Sequence, residues 1–474
     1  MKLHNVILPG RDPISRWDVD FENDTITAIK PAVISTAPGC TASSSNNPSP
    51  FTLEEHPDPS PLLLPPLCHP HIHLDKAYLL TCNAQHNPRC SGYGGGLRQL
   101  PEYTDLAPQD GSFKEALEFT ARAKQRYTVD DLYLRGSQLL ATSLGQGVTS
   151  CRAFVELDHV TGRKCLDVAV KLKRVFEGKV HVQICAFAQD PIFSTEHAEE
   201  NRSILSRALE ECSEGDIEVL GTTPYVETSR EASLENIRWA VEMALTKGLH
   251  LDFHLDYNLD REQSVMVRDV LRVLKEKKWK ERAKPGKTIV LGHCTRLTLC
   301  QDEEMERLAA DIKASGLPVH FVGLPTSDLF MMGRVAGADR PRGTMQVLDM
   351  ISKGTDACLS VNNVGNAFTP CGSGDPIALA ALGVGVYQAG TTEDAERLYE
   401  CVSTRARRAI GLGSEDTMVL SEGRKGEVLM VRNEEWVGCP GHLGMKIPAR
   451  QRVNVRDVVW DPPDVGLRQI VRGG

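Results

Sequence analysis

The segment Cys68-His69-Pro70-His71-Ile72-His73-Leu74-Asp75-Lys76 follows an apolar run and sets two imidazoles two residues apart. In a strand, residues i and i+2 project to the same side, so His71 and His73 share one face where the strand ends. Two neutral imidazoles so placed can supply two of the ligands of a divalent metal. Paired histidines are also ordinary polar residues at a strand end. His69, at the same parity, is either a third donor or a hydrogen-bonded support.

Two further segments repeat the pattern. His250-Leu251-Asp252-Phe253-His254-Leu255-Asp256-Tyr257 and Ile289-Val290-Leu291-Gly292-His293-Cys294 each end an apolar run on a histidine. Strands are expected near 67–73, 148–154, 180–187, 217–222, 249–254, 288–293, 318–323 and 357–361. Between them lie amphipathic stretches: Leu234, Ile237, Val241 and Leu245 share one helical face, and Val267, Val270, Leu271 and Leu274 another. Eight strands alternating with helices predict an α/β fold, a (β/α)8 TIM barrel, although an open doubly wound sheet gives the same local pattern. In such barrels the functional groups sit at the carboxyl ends of the strands, and three separate strands end here on histidine. That recurrence favours a metal site held by His71, His73 and His254.

The rest of the chain frames the barrel. Residues 1–66 and 415–474 read as short strands, with an Asn23-Asp24 turn, a Gly-Cys-Pro-Gly turn at 438–441 and a terminal Arg-Gln-Ile-Val-Arg run. They are expected to pair into a small β-sandwich domain built from both termini, leaving 67–414 as the barrel. Residues 34–61, rich in Ser, Pro and Asn, read as a flexible insertion. The stretch from Thr81 to Ser112, with its Gly92–Gly96 cluster, reads as a lid over the mouth; without a following Lys-Ser/Thr it is no phosphate loop.

Composition excludes several classes. The 54 Lys and Arg against 63 Asp and Glu, a formal charge of −9, leave no basic tract to follow a nucleic acid backbone. The glycine-interrupted apolar run Ile377 to Tyr387 is too short for a bilayer needing about 20 residues. The amino terminus has no secretory pattern, and the 14 cysteines are scattered without a C-x-x-C pair, so free thiols and a cytoplasmic location are expected. The expected partner is a small-molecule substrate; a homo-oligomer is left open.

Pro-His-Ile-His-Leu-Asp at 70–75 resembles the metal-binding strand of the cytosine deaminase branch of the amidohydrolase superfamily. Further likenesses follow in order: Arg152 at the second strand, Ala186-Phe187-Ala188-Gln189-Asp190 at the third, Phe253-His254-Leu255-Asp256, Gly292-His293, the basic turn Arg340-Pro341-Arg342-Gly343, and an eighth strand over 358–364. The resemblance implies one divalent ion, with zinc the first expectation and iron the alternative, that activates water for attack on a carbon bonded to nitrogen. An aspartate on the eighth strand would take the proton from that water, and a glutamate after the fifth strand would deliver it to the ring or leaving nitrogen.

Both acids are replaced. Asn362 stands where the metal-bound aspartate is expected and Asn363 where its acidic neighbour is, while Tyr257 stands where the glutamate is and Phe154 where relatives have a histidine. An amide oxygen can ligate a metal but takes no proton from water, and a phenol is a poor acceptor near neutrality. Proton transfer then falls to His293, the residue type that titrates nearest neutrality, with Asp256 and Tyr257 as the other catalytic candidates. Gln189, Arg152, Phe154, Asn363 and Lys76 are the expected substrate-binding residues, and Asn362 the fourth metal ligand. Three activities follow: a C–N hydrolase with rewired proton transfer, a metal-assisted elimination, cyclisation or isomerisation, and an inactive ligand-binding relative.

Overall fold

The computed structural model describes residues 1–32, 59–83, 85–86, 100–334, 340–413, 418–437 and 447–473. Most of the expected insertion at 34–61, the Gly92–Gly96 cluster and the turn at 438–441 lie outside them.

The chain opens with β1 (Lys2–Val6), β2 (Trp17–Glu22) and β3 (Thr25–Pro31), an antiparallel sheet turned at Asn23 and Asp24, both with positive φ. After β4 (Leu62–Leu64) come eight parallel strands: β5 (Leu67–His73), β6 (Val148–Glu156), β7 (His181–Ala188), β8 (Val219–Thr222), β9 (His250–Leu255), β10 (Ile289–His293), β11 (Val319–Gly323) and β12 (Asp356–Leu359). Each pairs with its neighbour in sequence order. The sheet closes on itself where Ile72 bridges Asn362 in parallel fashion and the His73 amide donates to the Asn362 carbonyl at 2.9 Å. Closure distinguishes a barrel from an open sheet and draws the end of β5 against the segment following β12.

These strands are short runs buried on both faces, as a parallel sheet covered by helices demands, with polar side chains such as Arg152, Asp252 and His254 turned to the barrel interior. The predicted helical faces are present in Arg230–Lys247 and Val267–Glu276, where Ile237, Val241, Val267, Val270 and Leu274 are buried. The apolar run that is too short for a bilayer is the helix Pro376–Val386, capped by the Asp375 carboxylate on the Ile377 amide. No helix among the described residues is long and apolar enough to cross a membrane.

At the other end of the chain, β13 (Glu427–Val431) pairs antiparallel with both β4 and β16 (Arg468–Arg472), while β14 (Trp436–Val437) and β15 (Ile447–Pro448) form a separate ribbon. Val6, Val19, Phe21, Ile26, Leu63, Val428 and Val471 share one apolar cluster, so strands from both termini pack over a common core. Arg468 clamps this sheet to the barrel through a bidentate pair with Asp375 at 2.7 and 2.9 Å.

Candidate metal centre and cavity

At the carboxyl mouth of the barrel, four imidazoles meet. His71 Nε2 lies 3.1 Å and His73 Nε2 3.2 Å from His254 Nε2, and all three rings are buried. His293 adds a fourth donor, with ligand atoms of His71, His254 and His293 mutually within 4.8 Å. Strand geometry explains the convergence: His71 and His73 leave β5 at alternate positions, and the β9–β10 register sets Gly292 beside His254. Gly292 is needed there, because a Cβ on it would lie 3.0 Å from His71 Cε1 and 3.2 Å from His71 Nδ1.

Burial holds His71, His73 and His254 well below the usual histidine range, and the positive charges of Arg152 near His71 and of Lys76 near His73 and His254 add to it. Two neutral rings, His71 and His73, then turn their Nε2 atoms toward that of His254. Hydrogen bonds can satisfy some of these nitrogens, but a cation satisfies every lone pair at once. With metal–nitrogen distances of about 2.0–2.1 Å and tetrahedral angles, nitrogens sit roughly 3.3 Å apart, close to the spacing found. Asn362, with φ 63°, donates its Nδ2 to Ser327 Oγ at 2.9 Å, while its buried Oδ1 is unpaired and the side chain adjoins His71 and His73. This donor set fits a divalent ion.

His293 is held differently. Its Nδ1 lies 2.9 Å from Asp328 Oδ1, and Asp328 Oδ2 accepts from Thr344 Oγ1 at 3.0 Å. Burial pushes the Asp328 carboxyl up, while the bonds from His293, Thr344 and the Leu324 amide oppose it. The Tyr257 ring stacks on His293 at 3.8 Å, and Phe113 from the helix Phe113–Lys124 meets Tyr257 edge-on. Burial raises the Tyr257 phenol further above its ordinary range. Asp328 escaped the sequence reading, although Leu324-Pro325-Thr326-Ser327-Asp328, a helix start directly after a strand, carries a usable signal.

A small, nearly filled cavity opens beside this group, lined by His73, Lys76, Gln189, Tyr225, His254, Tyr257, His293, Asn362, Asn363 and Phe368. It therefore gathers Lys76, Gln189, Tyr257, His293, Asn362 and Asn363 of the expected site residues. Lys76, 1% exposed, donates to Gln189 Oε1 at 3.2 Å and pairs with Glu156. Glu156 is shared with Lys124 at 2.8 Å, and Lys124 also reaches Asp158 and Asp190. Asn366 Nδ2 donates to Asn363 Oδ1 at 2.7 Å and fixes that amide.

Four expected residues do not line it: His71, which lies within the histidine cluster, and Arg152, Phe154 and Asp256. Arg152 pairs with Asp252 at 2.7 Å and donates to Gln183 Oε1 at 2.8 Å, deeper in the barrel. Phe154 packs its ring on His71 at 4.1 Å and edge-on against Phe187, a wall behind the histidines. Asp256, with φ 48°, accepts the Met266 amide at 3.0 and 3.1 Å and caps the start of the helix Val267–Glu276. Eleven cysteines are free thiols among the described residues.

An eight-stranded barrel with a histidine cluster at its mouth defines a class, and comparison with known proteins agrees. The sequence profile of the amidohydrolase family matches residues 70–417. The chain belongs to that family. Among solved structures, it is similar to 5-methylcytosine deaminase from Klebsiella pneumoniae liganded with 5-fluorocytosine, at 19% identity and a TM-score of 0.74 over 100% of this chain and 96% of that one. N-isopropylammelide isopropylaminohydrolase from Burkholderia multivorans aligns at 20% identity and TM-score 0.66, covering 100% and 96%. An adenosine deaminase from Xanthomonas campestris with bound zinc aligns at 13% identity and TM-score 0.58, covering 97% and 87%. No curated protein matches by sequence.

Proposed function

We propose that this chain hydrolyses a C–N bond of a small polar or heterocyclic substrate, by deamination or by amide or amidine cleavage, with one divalent metal, zinc first and iron second. The observation that carries the reading is the convergence of His71 and His73 on His254 Nε2 at 3.1 and 3.2 Å. His71, His73 and His254 would hold the ion, with Asn362 Oδ1 as a neutral fourth donor. Such an ion acts as a Lewis acid and lowers the pKa of water bound to it.

Proton handling falls to His293. With Nδ1–H given to Asp328, Nε2 keeps its lone pair for a proton from the reacting centre, and the carboxylate stabilises the imidazolium that forms. Asn362 cannot accept that proton, and Tyr257 serves by stacking rather than by titrating. Lys76, Gln189 and Asn363 present polar atoms to the substrate, between the aromatic faces of Phe368 and Tyr257. Arg152, Phe154 and Asp256 act as positioning residues, under and behind the site.

One observation favours a second reading. None of the described residues lining the cavity is a carboxylate, which suits a metal-assisted elimination, cyclisation or isomerisation in which hydrolysis would be a side reaction. Measuring metal content and ammonia release from cyclic amidines and amides separates the two. Hydrolysis requires about one equivalent of metal, with both metal and ammonia release lost in His71→Ala. Metal without release from any substrate of the panel sinks the hydrolytic reading and leaves the second.

A further inference from the structure

The charge balance of the cavity says something about what enters it. His71, His73, His254 and Asn362 are all neutral donors, so an ion held by them keeps its full double charge. Its surroundings offer little relief: Phe154 and Phe187 pack on the histidine rings, and Tyr257 covers His293. A buried charge without a counter-charge is strongly disfavoured.

Nearby carboxylates are committed elsewhere. Glu156 lies between Lys76 and Lys124. Asp328 is bonded to His293 and Thr344, and Asp252 to Arg152. Asp256 accepts the Met266 amide, and Asp75 Oδ2 accepts the Glu156 amide at 2.7 Å. Lys76 meanwhile adds a buried ammonium to the cavity wall, and Glu156, its one acidic partner among the described residues, is divided with Lys124.

We infer, building on the metal site proposed above, that the substrate is a small planar molecule carrying a carboxylate or a comparable anionic group, which supplies the negative charge that Asn362 and Asn363 do not. The anion lies between the histidine cluster and Lys76, and the ring lies against Phe368 and Tyr257. A carboxylate built into the donor set would make such a substrate unwelcome, so the amide at 362 selects for it.

The full chain, loaded with zinc, is titrated calorimetrically with two matched pairs: orotate against uracil, and nicotinate against nicotinamide. The carboxylate member of at least one pair binds at least tenfold more tightly than its neutral counterpart. Asn362→Asp brings that ratio to near one, and Lys76→Met weakens the anion at least tenfold more than it weakens the neutral ring. Should Lys76→Met fail to fold, because it strands Glu156, Asn362→Asp decides alone. Zinc held with no preference for the carboxylate in both pairs, absent binding included, overturns the inference and leaves the metal site standing. A chain that holds no zinc overturns both.

Discussion

Gly292→Ala tests the histidine cluster from outside it. Gly292 belongs to β10 and pairs with His254 on one side and Val322 on the other, so its backbone has little room to retreat. The new methyl would sit 3.0 Å from His71 Cε1 and 3.2 Å from His71 Nδ1. Ordinary carbon contacts need about 3.5–4.0 Å, so the ring must move by roughly 0.5 Å. Metal–ligand distances tolerate only about 0.2 Å. The ring also packs against Phe154 at 4.1 Å, which limits how far it can move without degrading the donor geometry. Overpacking costs the metal-free fold about 1–3 kcal/mol, and zinc affinity falls about 10–100-fold, the range for disturbed support of a ligand. Competition against a chromophoric chelator reads the affinity, and circular dichroism reads the fold. A folded variant with wild-type zinc affinity would refute the claim that His71 is a ligand held against Gly292.

His293→Gln is expected to keep its metal and lose about 10²–10⁴-fold in turnover; loss of the metal instead would make His293 a ligand. Asp328→Asn, which leaves a hydrogen bond acceptor on His293 but removes the charge, should lower kcat more than it raises KM, and an unchanged kcat would exclude the Asp328–His293 pair from proton transfer. Asp105 anchors the approach to the helix bearing Phe113 through Arg126 at 2.7 and 2.8 Å, and those bonds hold its carboxyl down to about 2. A depressed carboxylate pKa stabilises the fold above the unfolded value near 3.9 and loses that contribution as pH falls toward about 2. Because the pair is largely exposed, Asp105→Asn should cost only about 0.5 kcal/mol at neutral pH, with a shallower loss of stability between about pH 4 and 2 in acid denaturation; an unchanged acid profile would show that the pair contributes nothing.

The barrel strands were legible because each is a short apolar run ending in polar residues, and the observed strands fall within a residue or two of the expected positions. His71, His73, His254 and His293 were legible for the same reason, since a histidine ending such a run has to lie at the mouth. What sequence spacing did not convey was depth. Arg152 and Asp252 point inward like Phe154 and His254, but two residues earlier, roughly 6.6 Å further down the barrel axis side, where they satisfy each other. The place of Asp256 is hidden from sequence for a related reason: its positive φ takes it out of strand alternation and into a helix cap. Asp328 lay hidden because its partner is 35 residues away and only the β10–β11 pairing brings them together. Barrel closure, which sets Asn362 against His73, is a long-range event that local periodicity cannot report.

Three imidazoles of this chain, His71, His73 and His254, are proposed to hold one divalent ion. Elemental analysis of the purified protein, reconstituted with zinc or with iron, combined with X-ray absorption at the metal edge, tests it most directly. About one ion per chain with three nitrogen neighbours at roughly 2.0–2.1 Å, lost in His254→Ala, is the predicted result. A folded protein that takes up neither metal, or one whose His254→Ala variant binds as tightly as the parent, would contradict it.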